Sequence, residues 1–287
     1  FTSRKNSTSL VNSLKLEIEV DITMPPISQV FHRLNVLITP NDFQYLGFNI
    51  FHHLSLLRPK TVTIMFSSAD DPESVSKLHS LLETAGFQVE QKNKRAFSNY
   101  VVSAGNDSIA LPIYLVHKWV RSNEEWITLS LRDDNQSDEI LMGLPSVLTA
   151  QGIEKPSYFI YQMLPQLNGN LLCWGKQYCI IQTGEENAPE YIIVVSNFND
   201  DIYNMPTRET SLHQAKTVFN EFKDEIDFNV TLNLAPGMYS VAKYSLSRNH
   251  NIFSYLASFD FSDQHHFAET TKLLIPTEPE LEVSVED

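Results

Sequence analysis

"KTVTIMFSSADDPESVSKLHSLLETAGFQVEQ", residues 60 to 91, holds a strand, a helix and a second strand in one stretch. Its first nine residues are a short β-branched run of the kind a pleated, half-buried surface favours. Asp71 can cap the helix that follows, Pro72 suits its first turn, and Val75, Leu78, Leu81 and Leu82 make one apolar stripe ending at Gly86. "FQVEQ" (87 to 91) reads as the next strand. A strand, a crossover helix and a further strand predict parallel pairing, because only a crossover returns the chain in the same direction.

The same alternation extends both ways along the chain. Upstream, "KLEIEVDIT" (15 to 23) alternates apolar and charged residues as a half-exposed strand does, and Pro25-Pro26 ends it. "RLNVLIT" (33 to 39) is another β-branched run, followed by a helical stretch containing Phe48, Phe51, His52 and Leu54 to Leu57. Downstream, Asp107 or Ser108 can cap a helix carrying Ile109, Ile113, Val116 and Trp119, and "WITLSL" (126 to 131) is again strand-like.

After Pro165 the character changes. "YCIIQTG" (178 to 184), "YIIVVSNFN" (191 to 199), "DFNVTLNL" (227 to 234) and "MYSVAKYSLS" (238 to 247) are strand runs, with one helical insert near 210 to 224. They predict a β-sandwich, with Pro236-Gly237 turning between two strands. Val230, Leu232 and Leu234 would share its interior with Tyr239, Val241 and Tyr244. The tail "EPELEVSVED" reads as an edge strand or a disordered end.

Composition bounds the function. A chain of 287 residues that is 42% hydrophobic can bury a full core. Its formal charge of -14 repels a phosphate backbone, so these residues are not expected to bind DNA themselves. Two cysteines, Cys173 and Cys179, are too few for a disulfide framework and predict reduced thiols in a cytoplasmic protein. No apolar run reaches the roughly 18 residues of a membrane helix. The histidines lack the His-x-x-x-His spacing that aligns two imidazoles on one helical face, and the glycines form no phosphate loop. Neither a metal nor a cofactor is expected.

From about residue 123 the order of features resembles the end of a glycoside hydrolase family 39 enzyme. Trp126 is followed by Asp133 and Asp134, then Gly143, "SVLTAQ" (146 to 151) and "GIEKPSYFIYQML" (152 to 164). These look like the family's last barrel strand with its Trp and Asp, its Gly-rich turn, its leucine-containing loop and its Gly-Ile-x-Lys-Pro helix start. "YIIVVSNFND" (191 to 200) and "GMYSVAKYSLSRNHNIFSYLASF" (237 to 259) resemble its sandwich. The front half, with "KLEIEVDIT" and "HRLNVLITPNDF" (32 to 43), resembles the form fused behind an AraC-type helix-turn-helix.

The resemblance implies an α/β fold: a linker at residues 1 to 13, a shortened or degenerate (β/α) barrel-like domain at 14 to 165, and a β-sandwich domain with an acidic tail at 166 to 287. The first of these domains is far shorter than the about 250 residues of a complete eight-unit barrel. It implies the ligand-sensing or oligomerisation region of an AraC-family transcription regulator, carbohydrate-responsive and not catalytic. DNA would be reached only through a helix-turn-helix outside these residues, and a homodimer is compatible with this role.

Retaining glycosidases need two carboxyl groups about 5 Å apart at barrel strand ends. The family places its proton donor after an Asn in the fourth strand and its nucleophile in the seventh. Asn123-Glu124 copies the Asn-Glu pair but sits beside Trp126 at the last strand, and Glu90 lies near the expected nucleophile position without the family's Trp. Trp126 with Asp133 and Asp134 could hold a sugar by ring stacking and hydrogen bonds, with Glu90 and Glu124 as further candidates. The bland readings are a core Trp and surface carboxylates. A working β-xylosidase-type enzyme using Glu90 and Glu124 is the alternative.

Overall fold

The computed structural model describes residues 13–31, 33–93, 101–121, 126–133, 141–185, 188–247 and 280–286. The chain opens with β1 (Ser13–Val20) and β2 (Ser28–Val30), whose partners lie far downstream. Then come β3 (Arg33–Ile38), the helices α1 (Pro40–Leu46) and α2 (Asn49–Leu57), β4 (Thr61–Phe66), α3 (Pro72–Thr84) and β5 (Val89–Asn93). α4 (Ala110–Arg121), β6 (Trp126–Arg132), β7 (Ser146–Leu148) and α5 (Pro156–Met163) complete this half. Local signals act as expected: Asp71 accepts the backbone N–H groups of Glu73 and Ser74 at the head of α3, with Pro72 at its first position.

The five strands β5-β4-β3-β6-β7 form one sheet in that order, every pair parallel. Leu34, Val36 and Ile38 alternate with Arg33, Asn35 and Leu37, so β3 shows one set to each face. The first set meets Leu54 of α2, Leu78 of α3, Trp119 of α4 and Tyr158 of α5 in a single core. In keeping with a shortened, degenerate barrel-like domain, the described strands form an open sheet with β5 and β7 as its outer strands. Closing a small barrel takes about eight tilted strands, and five parallel strands cannot bring their edges together.

The second half contains β8 (Gly169–Trp174), β9 (Tyr178–Glu185), β10 (Ala188–Val195), α6 (Asp200–Asn204), α7 (Leu212–Glu221), β11 (Glu225–Leu232), β12 (Tyr239–Ser245) and β13 (Glu280–Glu286). β10, β9, β8 and β2 make an antiparallel sheet, and β1 pairs in parallel with β11 from Ser13↔Glu225 to Val20↔Leu232. Ile18 and Val20 of β1 pack on Ile180 of β9, with Leu172, Val230 and Leu232 around them. Residues 13–30, expected with the first domain, are thus hydrogen-bonded to strands of the second.

Pro236-Gly237 lies between β11 and β12 as expected, but these two strands do not pair with each other: β11 pairs with β1 and β12 with β13. Val230 and Leu232 are half-buried as expected, but Val241 and Tyr244 are exposed, since β12 belongs to a separate two-stranded sheet. The acidic tail is a strand over Glu280–Glu286. The stretch 248–259 of the family resemblance lies outside the described residues.

Helix α2 offers a check of this packing. Leu54 is fully buried and Leu56 is 39% exposed. Leu54→Ala is expected to lower the unfolding free energy by about 2–5 kcal/mol, and Leu56→Ala by under about 0.5 kcal/mol, in urea titrations.

Candidate functional site

In open and closed α/β sheets, ligands are held at the C-terminal ends of the strands. The end of β6 carries Arg132 and Asp133, the residue before α5 is Lys155, and Asp107 stands in the short turn Ala104–Asp107 ahead of α4. Lys155 Nζ lies 2.6 Å from Asp107 Oδ1 and 2.8 Å from Asp133 Oδ2, and donates to the Leu144 carbonyl at 3.0 Å. All three side chains are buried. Asp133 also accepts a hydrogen bond from Ser146 Oγ, and Asp107 Oδ2 accepts the Gly143 N–H at 2.7 Å.

One ammonium between two carboxylates leaves the cluster one negative charge in excess. Burial is the largest influence on Asp107 and pushes it up to about 6; Lys155 opposes this and the charge of Asp133 adds to it. Burial works against the charge of Lys155, yet the two carboxylates hold it above its ordinary value. The carboxylate oxygens can be no farther apart than the sum of their distances to Nζ, which is close to the spacing of a retaining glycosidase pair. A cation occupies the space between them, and water has no access. This is an internal tie and not a place for a sugar.

The neighbouring strand end is closed in the same manner. Arg132 donates from Nε to Asp42 Oδ1 at 2.8 Å and bonds the Ala150 carbonyl, while its guanidinium lies 4.7 Å from the centre of the Tyr45 ring. Asp42 in turn forms a reciprocal cap with Thr39 at the start of α1. After β4, Asp70 accepts the backbone N–H and the hydroxyl of Ser67.

The predicted ligand residues are dispersed. Asp133 is inside the cluster just described. Trp126 begins β6 opposite Arg33, at the N-terminal edge of the sheet, and is 40% exposed. Glu90 is exposed on β5 and pairs with Lys92 at 2.9 Å. Glu90 is level with Thr63, which is level with Leu37 and Ser130, four residues along β6 from Trp126. With about 3.3 Å per residue and about 4.8 Å between strands, Trp126 and Glu90 are on the order of 20 Å apart. Glu124 and Asp134 lie outside the described residues.

Glu90 does share a sheet face with Asn35, Thr61, Thr63, Thr128 and Ser130, the face turned away from the helices. There Thr63 Oγ1 donates to Asn35 Oδ1 at 3.0 Å. This polar face was hidden in the sequence by the alternation of short runs that look uniformly β-branched. Sequence reasoning also missed Asp107, which was read only as a helix cap. Ser108 performs that task, accepting the Ala110 N–H at 3.1 Å. The signal that could have found the cluster is the Lys-Pro pair of "GIEKP", a cation in an otherwise apolar stretch.

Both cysteine thiols are free. Among the described residues no group of His, Cys, Asp and Glu is placed to hold a metal ion, and no helix is long and apolar enough to cross a membrane.

No protein-family model and no curated protein matches this chain. Among solved structures, a monomeric beta-xylosidase from Caulobacter crescentus CB15 aligns over 83% of this chain and 54% of its own, at 16% identity and a TM-score of 0.44. The GH39 enzyme from Xanthomonas axonopodis pv. citri aligns over 84% and 53%, at 12% identity and a TM-score of 0.44. The chain spans about half the length of each.

Two outcomes test the cluster. Lys155→Met leaves two carboxylates buried without a cation and is expected to cost about 3–5 kcal/mol in denaturant unfolding. The folded-state pKa of Asp107, about 6, lies above the ordinary carboxylate value of 3.8. Its contribution to stability is therefore complete below 3.8 and is lost as the pH rises through about 6. Asp107→Asn should accordingly shrink that part of the stability difference between acidic and neutral solution, read as the change in slope of unfolding free energy against pH.

Proposed function

We propose that this chain is a non-hydrolytic relative of the family 39 glycosidases that responds to a carbohydrate. In this reading the five parallel strands are what remains of a barrel, and the sheets built around β1, β8, β9 and β11 correspond to the family's sandwich. The supporting observation is the fate of the described strand-end carboxylates. Asp133 is buried and tied to Lys155, and Asp42 is buried and tied to Arg132, so neither is available as a proton donor or nucleophile, while Asp70 is engaged by Ser67. We extend the reading to the effector region of an AraC-type regulator in the cytoplasm, able to form a homodimer. DNA would be contacted only through a helix-turn-helix outside these residues, in keeping with a charge of -14.

The second reading, a β-xylosidase-type hydrolase, is favoured by the polar sheet face that carries Glu90 beside Asn35 and Thr63. A chromogenic xyloside separates the two: no turnover is expected, and turnover abolished by Glu90→Gln would establish the enzyme instead. Melting curves against neutral mono- and oligosaccharides test the responsive role. A sugar present at about 100 times its Kd adds about 2.7 kcal/mol to the folded state, a rise of several degrees. A flat response across pentoses, hexoses and their oligomers would sink it.

A further inference from the structure

The N-terminal edge of the parallel sheet differs from the C-terminal edge in being open. A cleft of about 350 Å³ lies there, within the size range of small-molecule sites. Its walls come from the residues entering β3 and β4, the last turn of α4 and the segment that leads into β8. Among the described residues, three cations line it, Arg33, Arg58 and Lys60, and no carboxylate does. In a chain with 35 acidic and 21 basic residues, that concentration of one sign makes a local positive field against a negative background.

Two further features give the cleft a chemical character. Arg33 holds its guanidinium 5.4 Å from the ring centre of Phe31, which lines the cleft and is 52% exposed. A flat ligand can therefore lie on an aromatic face while its charge meets guanidinium. Arg58 has φ 49° and ψ 51°, the only positive φ at a non-glycine among the described residues. Glycine is the residue that adopts this geometry at a helix end without strain. The C-terminal cap of α2 is made by the Arg58 backbone N–H to Leu54 O, which any residue but proline supplies, so the cap does not call for the side chain. Among the described residues, the side chains of Arg58 and Lys60 form no ion pair.

We infer that this cleft is a binding site for a small phosphate ester carried on a ring, its phosphate held by Arg58 and Lys60 and its ring against Phe31. Guanidinium and ammonium groups are suited to a doubly charged phosphate, which Arg can meet with two parallel hydrogen bonds. The ring can be a sugar or a nucleobase, and both chemistries share the ester phosphate. The site is separate from the strand-end carboxylates, and does not depend on whether the chain responds to a neutral sugar.

Calorimetric titration of the whole chain tests this with ribose 5-phosphate, AMP, inorganic phosphate and ribose as probes. One of the two esters is expected to bind, with inorganic phosphate weaker by about tenfold and ribose silent. The tighter ester identifies the ring. Arg58→Gly is expected to weaken that binding by about tenfold or more while leaving the melting temperature of the free protein unchanged or higher, because it relieves the positive φ. Lys60→Gln should weaken it comparably with no effect on melting. Absence of binding by both esters, or equal affinity in the parent chain and both variants, would overturn the site. Inorganic phosphate binding as tightly as the esters would overturn the ring contact, and ribose binding as tightly as its phosphate would overturn the anion assignment.

Discussion

Lys155 sets its ammonium between Asp107 and Asp133, and those two contacts add a buried ionic tie to parts of the chain that also meet by strand pairing and core packing. Asp133 ends β6, Asp107 precedes α4, and Lys155 itself starts α5, so one buried cation fixes a strand end and two helix starts. A buried ion cluster must have its geometry satisfied to be tolerable, because the cost of desolvating three charges is regained only by close contact. Ser146, the Gly143 N–H and the Leu144 carbonyl complete that satisfaction. The short strand β7 and the turn before it are held in the same way.

This arrangement divides the sheet chemically. At the C-terminal edge the carboxylates face inward to lysine, arginine or backbone and act as ties. At the N-terminal edge, where helix ends and strand starts leave space, cations and aromatic rings face an open cleft. The reversal has a simple electrostatic basis. Carboxylates near helix N-termini and cations near helix C-termini both favour the helix dipoles, and in an α/β layer those ends lie at opposite edges.

The second half is anchored by pairing over long separations. β1 runs in parallel along β11 for its whole length, and Asn229 donates to Glu17 across 212 positions of sequence. β2 adds to β8. Strands β1 and β2 therefore pair with the second half before the parallel sheet begins, which couples the two halves through covalent connections at both ends of that sheet.

What the sequence determined by itself was local. The unit at 60–91 was legible because its determinants are neighbours: β-branched residues for the strand, Asp71 and Pro72 for the helix start, and an apolar stripe at helical spacing. The "GIEKP" helix start was legible for the same reason. Tertiary structure alone decided that the sheet stays open, that β11 pairs with β1 and not with β12, and that Asp133 binds Lys155 while Trp126 stands at the other edge. None of these follows from periodicity, which states which face a residue shows but not what that face meets. Pairing partners, burial of charge and the edge of a sheet on which a side chain lands depend on segments far apart in sequence, and they are settled only when those segments compete for the same contacts.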